Sequence, residues 1–282
     1  MRIRLLVCDI DGTLLSSSSQ LSERTRQAVR AAAAAGCQVT LATGRRFHSA
    51  KGIADSLGLE LPLIVHNGAL IRDSLTRAVL FQRRLSPEAA RAATEHFWHG
   101  LAQPIIYESV KNDDDYGERV IAGPEQRDSA HNRAYLTRNA AIRMDSLEAL
   151  LGVSAPLEVA ALESAARTSR LAEGLVHPHL RHFTSPSGPG TAMVEVIAAD
   201  VSKATALRLL AQRLQAPLEQ TMAIGDNVND VELLQTAGLS VAMANGHADA
   251  IAAATHLTLS NDEDGVAAAI EQFVLQRTLA RE

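Results

Sequence analysis

Cysteine is nearly missing from the chain: 282 residues contain two, Cys8 and Cys37. A disulfide scaffold needs more, and both lie in or beside apolar runs, so they read as buried free thiols. Aromatic residues make up 3%, while alanine is used heavily, which favours helices. Long apolar runs are absent. None reaches the roughly 18 residues of a membrane-spanning helix. The first apolar stretch, Leu5-Leu6-Val7-Cys8, is cut at once by Asp9, which leaves it too short for a secretion signal. The expectation is a cytoplasmic protein with no membrane partner. A positive excess is also missing. Lys and Arg number 27 against 32 Asp and Glu, a net charge of −5, so nothing draws the whole chain to nucleic acid or an anionic surface. An anionic substrate would need a local cluster or a metal. No internal repeat is present, and Ser16–Ser19 is only a short polar loop. What remains is 46% hydrophobic and 21% charged, an ordinary globular balance. The length suits two domains at about 150 residues each.

Short apolar runs recur, each ending in small or polar residues. Ile3–Cys8 stops at Asp9, Val39–Ala42 at Thr43-Gly44-Arg45, and Leu63–Val65 at His66-Asn67-Gly68. Thr221–Ile224 stops at Gly225-Asp226-Asn227, and Leu239–Met243 at Ala244-Asn245-Gly246. Near-continuous apolar runs predict strands buried on both faces, as in a parallel sheet. Helical patterns lie between them. Ser22–Ala35 opens on the N-cap residue Ser22 and stops at Gly36; Lys51–Leu57, Lys203–Leu214 and Val228–Ala237 follow. The alternation predicts an α/β fold, a Rossmann-like, doubly wound and mainly parallel sheet. Ligands in such sheets bind beyond the carboxyl ends of the strands, where all the polar clusters fall. The middle of the chain reads differently. It has a hairpin-like Arg72–Arg83, a helix Ser86–Gly100 with Pro87 at its first position, and a strand Pro104–Val110. An acidic loop Lys111–Gly117 and an ambiguous Ala130–Ala141 follow, then a helix Ser146–Leu151, a strand Leu157–Ala160 and a helix Ser164–Leu175. His177–Gly190 is rich in Pro, Gly and Ser and reads as loop, followed by a strand Ala192–Ile197. The expected organisation is a core of residues 1–83 and 192–282, with an α+β domain, 84–191, inserted.

The sharpest feature is Asp9-Ile10-Asp11-Gly12-Thr13. Residues two apart on an extended segment point the same way. Two carboxylates leaving a buried strand together need a cation or a shared proton. The plainer reading is an Asp-Gly turn at a strand end. Gly225-Asp226-Asn227-Val228-Asn229-Asp230 ends another strand and opens a helix. Asp226 suits an oxygen-rich Mg²⁺ site, with Asp230 one turn on to hold a water or orient a ligand. Helix capping by Asp226 or Asn227 is the alternative. Thr43, Gly44 and Arg45 offer a hydroxyl, backbone N–H groups and a guanidinium that suit a phosphate, or else form a plain cap beside a solvated arginine. Asn67-Gly68 is either a hairpin turn or an amide lining the same site. Lys203 opens a helix, where its charge opposes the helix dipole unless an anion relieves it; otherwise it is a surface lysine.

In combination these residues resemble the haloacid dehalogenase superfamily of aspartate-nucleophile phosphatases, in the Cof-like branch with a large α/β cap. The matching stretches run in order: Asp9-Ile10-Asp11-Gly12-Thr13-Leu14-Leu15, Thr43-Gly44-Arg45, Asn67-Gly68-Ala69, Ser202-Lys203 and Gly225–Asp230. Val241–Asn245 and Asn261–Val266 match more weakly. The resemblance implies a Mg²⁺-dependent phosphatase acting on small phosphorylated metabolites, such as sugar phosphates or phosphorylated cofactors, through an aspartyl-phosphate. It implies Asp9 as nucleophile, Asp11 as acid and base, and Lys203 as the balancing cation. Mg²⁺ would sit on Asp9, the Asp11 carbonyl and Asp226. Phosphate would be bound by Thr43, Gly44, Arg45, Asn67, Lys203 and Asn229, with Asn227 and Asp230 in support. Two alternatives stand beside it, a sugar phosphomutase using the same nucleophile and a non-catalytic binder of phosphorylated metabolites. A monomer or homodimer is expected. Ala204 and Ala244 stand where the family usually has glycine; a positive φ at either would cost about 1 kcal/mol. In the insert, expected to choose the substrate, Lys111–Tyr116 is either a contact for sugar hydroxyls or a solvated loop. His177, His179 and His182 are a metal site or a polar loop, and Phe97 and Trp98 are core or a stacking platform.

Overall fold

The computed structural model describes residues 2–110, 117–153 and 155–275. The acidic stretch Lys111–Tyr116 lies outside the described residues. The chain begins with β1 (Leu5–Cys8), α1 (Glu23–Ala34), β2 (Gln38–Leu41), α2 (Phe47–Leu57), β3 (Leu63–Val65), β4 (Leu70–Arg72) and β5 (Val79–Gln82). There follow α3 (Pro87–His99), β6 (Ile105–Ser109), β7 (Glu118–Ala122), α4 (Arg133–Arg138), β8 (Ile142–Arg143), α5 (Leu147–Leu151), β9 (Glu158–Ser164), α6 (Ala165–Glu173), β10 (Leu180–Gly188) and β11 (Thr191–Ala198). It ends with α7 (Lys203–Arg213), β12 (Thr221–Gly225), α8 (Val231–Thr236), β13 (Leu239–Ala242), α9 (Ala248–Ala253), β14 (His256–Leu257) and α10 (Gly265–Ile270). Two compact units result. One joins the residues up to Phe81 with those from Ser202 onward; the other is Gln82–Val201.

The first unit is built on a parallel sheet of order β14-β13-β12-β1-β2. A parallel bridge between Ala42 and Ile64 ties in β3, which pairs antiparallel with β4. Every residue of β1 is buried, because both of its faces are covered. Leu5 and Val7 pack with Leu207 and Leu210 of α7 and Leu233 and Leu234 of α8. Leu6 and Cys8 point to the opposite face and are equally buried. Burying each such leucine contributes about 1.5–3 kcal/mol. Ser22 caps α1 as its position predicts, its hydroxyl accepting the Thr25 N–H at 3.0 Å. From β1 the chain runs outward to β2 and β3, and later returns beside β1 as β12 to run the other way. The reversal between β1 and β12 leaves a crevice at their carboxyl ends.

The second unit is α+β, with a six-stranded sheet of order β10-β11-β9-β6-β7-β8. Alternate residues, among them Ile106, Val159, Val194 and Val196, face a core shared with Phe97 and Leu171. Phe97 is therefore core, and Trp98 packs at its edge with the Arg127 guanidinium 3.7 Å over its ring. The structure departs from the sequence reading at two places here. The strand beginning near Ala192 pairs with β9 and β10, so it belongs to the inserted unit, which runs on to Val201 rather than stopping at 191. The stretch read as loop contains β10. Its Pro186 is tolerated because β10 is an edge strand and the register shifts between Pro186 and Gly188. The ambiguous segment holds the short helix α4. Among the described residues, no helix is long and apolar enough to cross a membrane. Replacing Ser22 by Ala should lower stability by about 1 kcal/mol, the usual cost of a lost N-cap, read as a shift in the urea midpoint.

Candidate active site

The crevice between β1 and β12 gathers the acidic residues. Asp9 follows β1 directly, and its backbone N–H donates to the Ile224 carbonyl at 2.9 Å. Lys203, the first residue of α7, is fully buried. Its ammonium donates to Asp9 Oδ1 at 2.8 Å and to Asp230 Oδ1 at 2.7 Å. The conflict between a lysine and its own helix dipole is thus relieved by two carboxylates. Ser202 and Thr205 close a capping box around that helix start. The other Asp230 oxygen accepts the N–H groups of Asp226 and Asn227 at 3.0 and 3.1 Å. Both oxygens of Asp230 are therefore occupied, and it serves as an anchor for lysine and turn alike. Asn227 takes the bland role open to it: it caps the 3₁₀ turn Val228–Asp230 that precedes α8.

Asp226 Oδ1 accepts the Thr13 hydroxyl at 2.7 Å. That stitches the loop after β1 to the loop after β12. Gly12 sits between them with φ +75°, and a Cβ there would lie 2.3 Å from Asp226 Oδ2. Only glycine fits both the backbone angle and the close approach. Asp11 is exposed, and no hydrogen bond ties it to the other carboxylates. Arg45 grips it with a two-pronged ion pair, Nε to Oδ2 at 2.7 Å and Nη2 to Oδ1 at 2.6 Å. The guanidinium expected on a phosphate is thus on a carboxylate. Thr43 is buried, and its hydroxyl accepts the Arg45 N–H at 3.1 Å across Gly44.

Asn67 lies in the β3–β4 hairpin turn with φ 52° and is fully buried, so it is turn and lining at once. Its Oδ1 accepts from Asn229 Nδ2 at 2.8 Å. Asn229 Oδ1 is buried with no hydrogen-bond partner among the described residues. That oxygen is an acceptor, so only a hydrogen-bond donor can complete it. Ala204 lies inside α7, and neither it nor Ala244 has a positive φ, so neither alanine strains the backbone.

The charges do not balance. Three carboxylates, Asp9, Asp226 and Asp230, each bring an oxygen within 4.8 Å of the others'. Lys203 supplies one cation. Burial pushes the Asp9 carboxyl well above its usual range, with Asp230 and Asp226 adding to the effect and Lys203 opposing it. Asp226 is pushed up to about 7, by burial first and then by Asp230, against the Thr13 hydrogen bond and Lys203. Burial works against the Lys203 ammonium, but the pull of Asp230 and Asp9 prevails and keeps it protonated. A site that raises its carboxylates this way favours a further cation. With Asp230 committed, the donors open to it are the second oxygens of Asp9 and Asp226, hard ligands of the kind Mg²⁺ prefers. The histidines of the insert assemble no comparable group. The rings of His177 and His179 meet edge to face at 5.6 Å, and among the described residues only the three aspartates form a metal-competent cluster.

Three supporting residues lie in stretches noted in the sequence, which gave them no role of their own. One is Thr13. The others are Asn245, whose Nδ2 donates to the Gly12 carbonyl at 2.8 Å, and Asn261, which donates its N–H to Asn245 Oδ1 and its amide to the Leu15 carbonyl, both at 2.9 Å. The signal for Asn245 was its place just after β13, at the same end of the sheet as the other polar clusters.

The chain is similar to known proteins over most of its length. The family model of haloacid dehalogenase-like hydrolases matches residues 6–270. Phosphatase YwpJ of Bacillus subtilis is 29% identical over 279 residues, covering 94% of this chain and 98% of that protein. The 5-amino-6-(5-phospho-D-ribitylamino)uracil phosphatase YcsE of the same organism is 29% identical over 280 residues, covering 97% and 96%. Among solved structures, the subclass IIB sugar phosphatase BT4131 superposes with a TM-score of 0.77 at 22% identity, covering 96% of this chain and 98% of that one.

The Gly12 contact can be isolated. Gly12→Ala and Gly58→Ala both force a side chain to φ +75°, but nothing lies within 4 Å of a Cβ at Gly58. Gly58→Ala should cost about 1–2 kcal/mol, the backbone strain alone. Gly12→Ala should cost clearly more in the same denaturant titration, because Asp226 must also move.

Proposed function

The chain belongs to the haloacid dehalogenase-like hydrolases, and on that premise we propose that it is a Mg²⁺-dependent phosphatase of small phosphorylated metabolites, working through an aspartyl-phosphate on Asp9. The observation that carries this reading is the buried Lys203 ammonium bridging Asp9 and Asp230 beside Asp226, at the sheet's reversal point. A carboxylate left unprotonated there is held by one oxygen, and its other oxygen has no hydrogen bond from the described residues. With one Asp9 oxygen turned to the divalent ion, the other is the nucleophile. It attacks phosphorus, and the bond to the leaving oxygen breaks. Asp11 gives that oxygen a proton, then takes one from the water that cleaves the acyl phosphate. Lys203 keeps Asp9 oriented and offsets the charge gathered around it. Asp9, Asp226 and the Asp11 carbonyl would hold the divalent ion, which supplies the positive charge that lets an anion approach an anion. The Thr43 hydroxyl and the second Nδ2 N–H of Asn229, whose amide is held in place by Asn67, are proposed to donate to phosphate oxygens.

The named substrate of YcsE is a small phosphorylated metabolite, and BT4131 is named a sugar phosphatase, which supports the substrate class. All the residues assigned to chemistry belong to the first unit. Substrate choice is therefore assigned to the inserted unit.

Asp9→Asn should abolish turnover of p-nitrophenyl phosphate with Mg²⁺, since an amide is a poor nucleophile. Borohydride quenching of the wild type during turnover should convert Asp9 to homoserine, seen by peptide mass spectrometry. An active Asp9→Asn enzyme would refute the assignment. A second expectation concerns pH. Without metal, Asp226 binds its proton more tightly folded than unfolded, where its pKa is near 3.8. That contribution is complete below the unfolded value and is lost as pH rises through about 7. Mg²⁺ should therefore raise the melting temperature more at pH 8 than at pH 5. Asp226→Asn should remove most of that difference.

A further inference from the structure

Arg45 makes three side-chain hydrogen bonds. Two go to Asp11, and Nη1 donates to Ser49 Oγ at 3.1 Å. Its backbone is fixed on both sides: its N–H donates to Thr43 Oγ1 at 3.1 Å, and its carbonyl accepts the His66 N–H at 3.1 Å. The guanidinium is thus a fork held from behind by α2 and from below by the strand-end loops. Asp11 has no such support of its own. Its side chain is 54% exposed on a loop, and among the described residues Arg45 makes all of its side-chain hydrogen bonds. An exposed carboxylate on a loop samples several rotamers. A bidentate guanidinium selects one, because both oxygens must meet parallel N–H bonds.

We propose that Arg45 is a positioning residue for Asp11, aiming the acid–base carboxylate at the leaving oxygen, rather than a ligand of the transferred phosphate. This rests on the reading of Asp11 given above. The two roles differ in what they touch. A phosphate ligand acts on every phosphate ester alike, and on inorganic phosphate. A residue that aims the proton donor acts in proportion to the leaving group's need for a proton. Phenolate, a poor leaving group, needs one; p-nitrophenolate departs largely without it.

The test compares kcat/KM for phenyl phosphate and p-nitrophenyl phosphate, with inorganic phosphate as competitive inhibitor. The enzymes are wild type, Arg45→Met, Asp11→Asn and the double variant. Arg45→Met should lower kcat/KM on phenyl phosphate by about 10- to 100-fold, the usual loss from a misplaced catalytic group, and by several-fold less on p-nitrophenyl phosphate. The inhibition constant of phosphate should move less than about threefold. Adding Arg45→Met to Asp11→Asn should change little, since residues that act as a unit are not additive. Arg45→Lys keeps the charge and loses the fork, and should show the same leaving-group bias. It serves where the methionine variant folds poorly by its melting curve. Equal losses on both esters, with the phosphate inhibition constant raised about tenfold or more, would overturn the proposal and leave the nucleophile and metal assignments standing. An Asp11→Asn enzyme that shows no leaving-group bias would overturn the acid–base reading itself, and this proposal with it.

Discussion

The Lys203 ammonium between Asp9 and Asp230 is the contact on which the rest depends. A lysine with no exposed side chain is costly to bury unless paired, and so is each of its partners. Removing one member of a buried pair typically costs about 3–5 kcal/mol because the other charge is left uncompensated. The three groups come from the end of β1, the start of α7 and the turn after β12. Their mutual need fixes the β1–β12 register, the cap of α7 and the turn at Asp226 relative to one another. Thr13, Asn245 and Asn261 then fasten the remaining freedom of the loop that carries Asp11.

The same contact shows why the site is left short of positive charge. A protein built only for stability would match three carboxylates with three cations, or remove them. Here one lysine faces Asp9, Asp226 and Asp230, and two carboxyls respond by rising out of their usual range. Such frustration in a crevice at a sheet's reversal point is the mark of a site that completes itself with something bound.

Much of this was legible from residue order. Buried strands that end in Asp, Thr or Asn announce a parallel sheet with polar carboxyl ends, and Asp9, Asp226 and Thr43 were found that way. By its local pattern Lys203 was an anomaly, a cation at a helix start, and only the family resemblance gave it a role, because its partners lie far off in sequence. Arg45 was visible as a charge near the site but not by its target. Phosphate and carboxylate make the same demand of a guanidinium, and only geometry separates them. β10 was hidden by Pro186 and Gly188, which mean loop in a central strand and are harmless at an edge. The end of the insert was misplaced for a related reason. A run such as Ala192–Ile197 says strand without saying which sheet it joins, and pairing with β9 is decided by contacts that the local pattern does not encode.

That boundary bears on how the two units divide their tasks. The chain re-enters the first unit at Ser202, immediately before Lys203. A lysine so near a junction would inherit any movement of the preceding chain unless the junction were fixed locally. Ser202 and Thr205 do this: the Ser202 N–H donates to Thr205 Oγ1 at 2.9 Å, and the Thr205 N–H donates to Ser202 Oγ at 3.3 Å. Both residues belong to the first unit, and α7 behind them is packed into its core through Leu207 and Leu210. The lysine's position is therefore set by the sheet and by its two carboxylates, independently of what the chain does before residue 202. An insert can then diverge in sequence without disturbing the charge arrangement in the crevice.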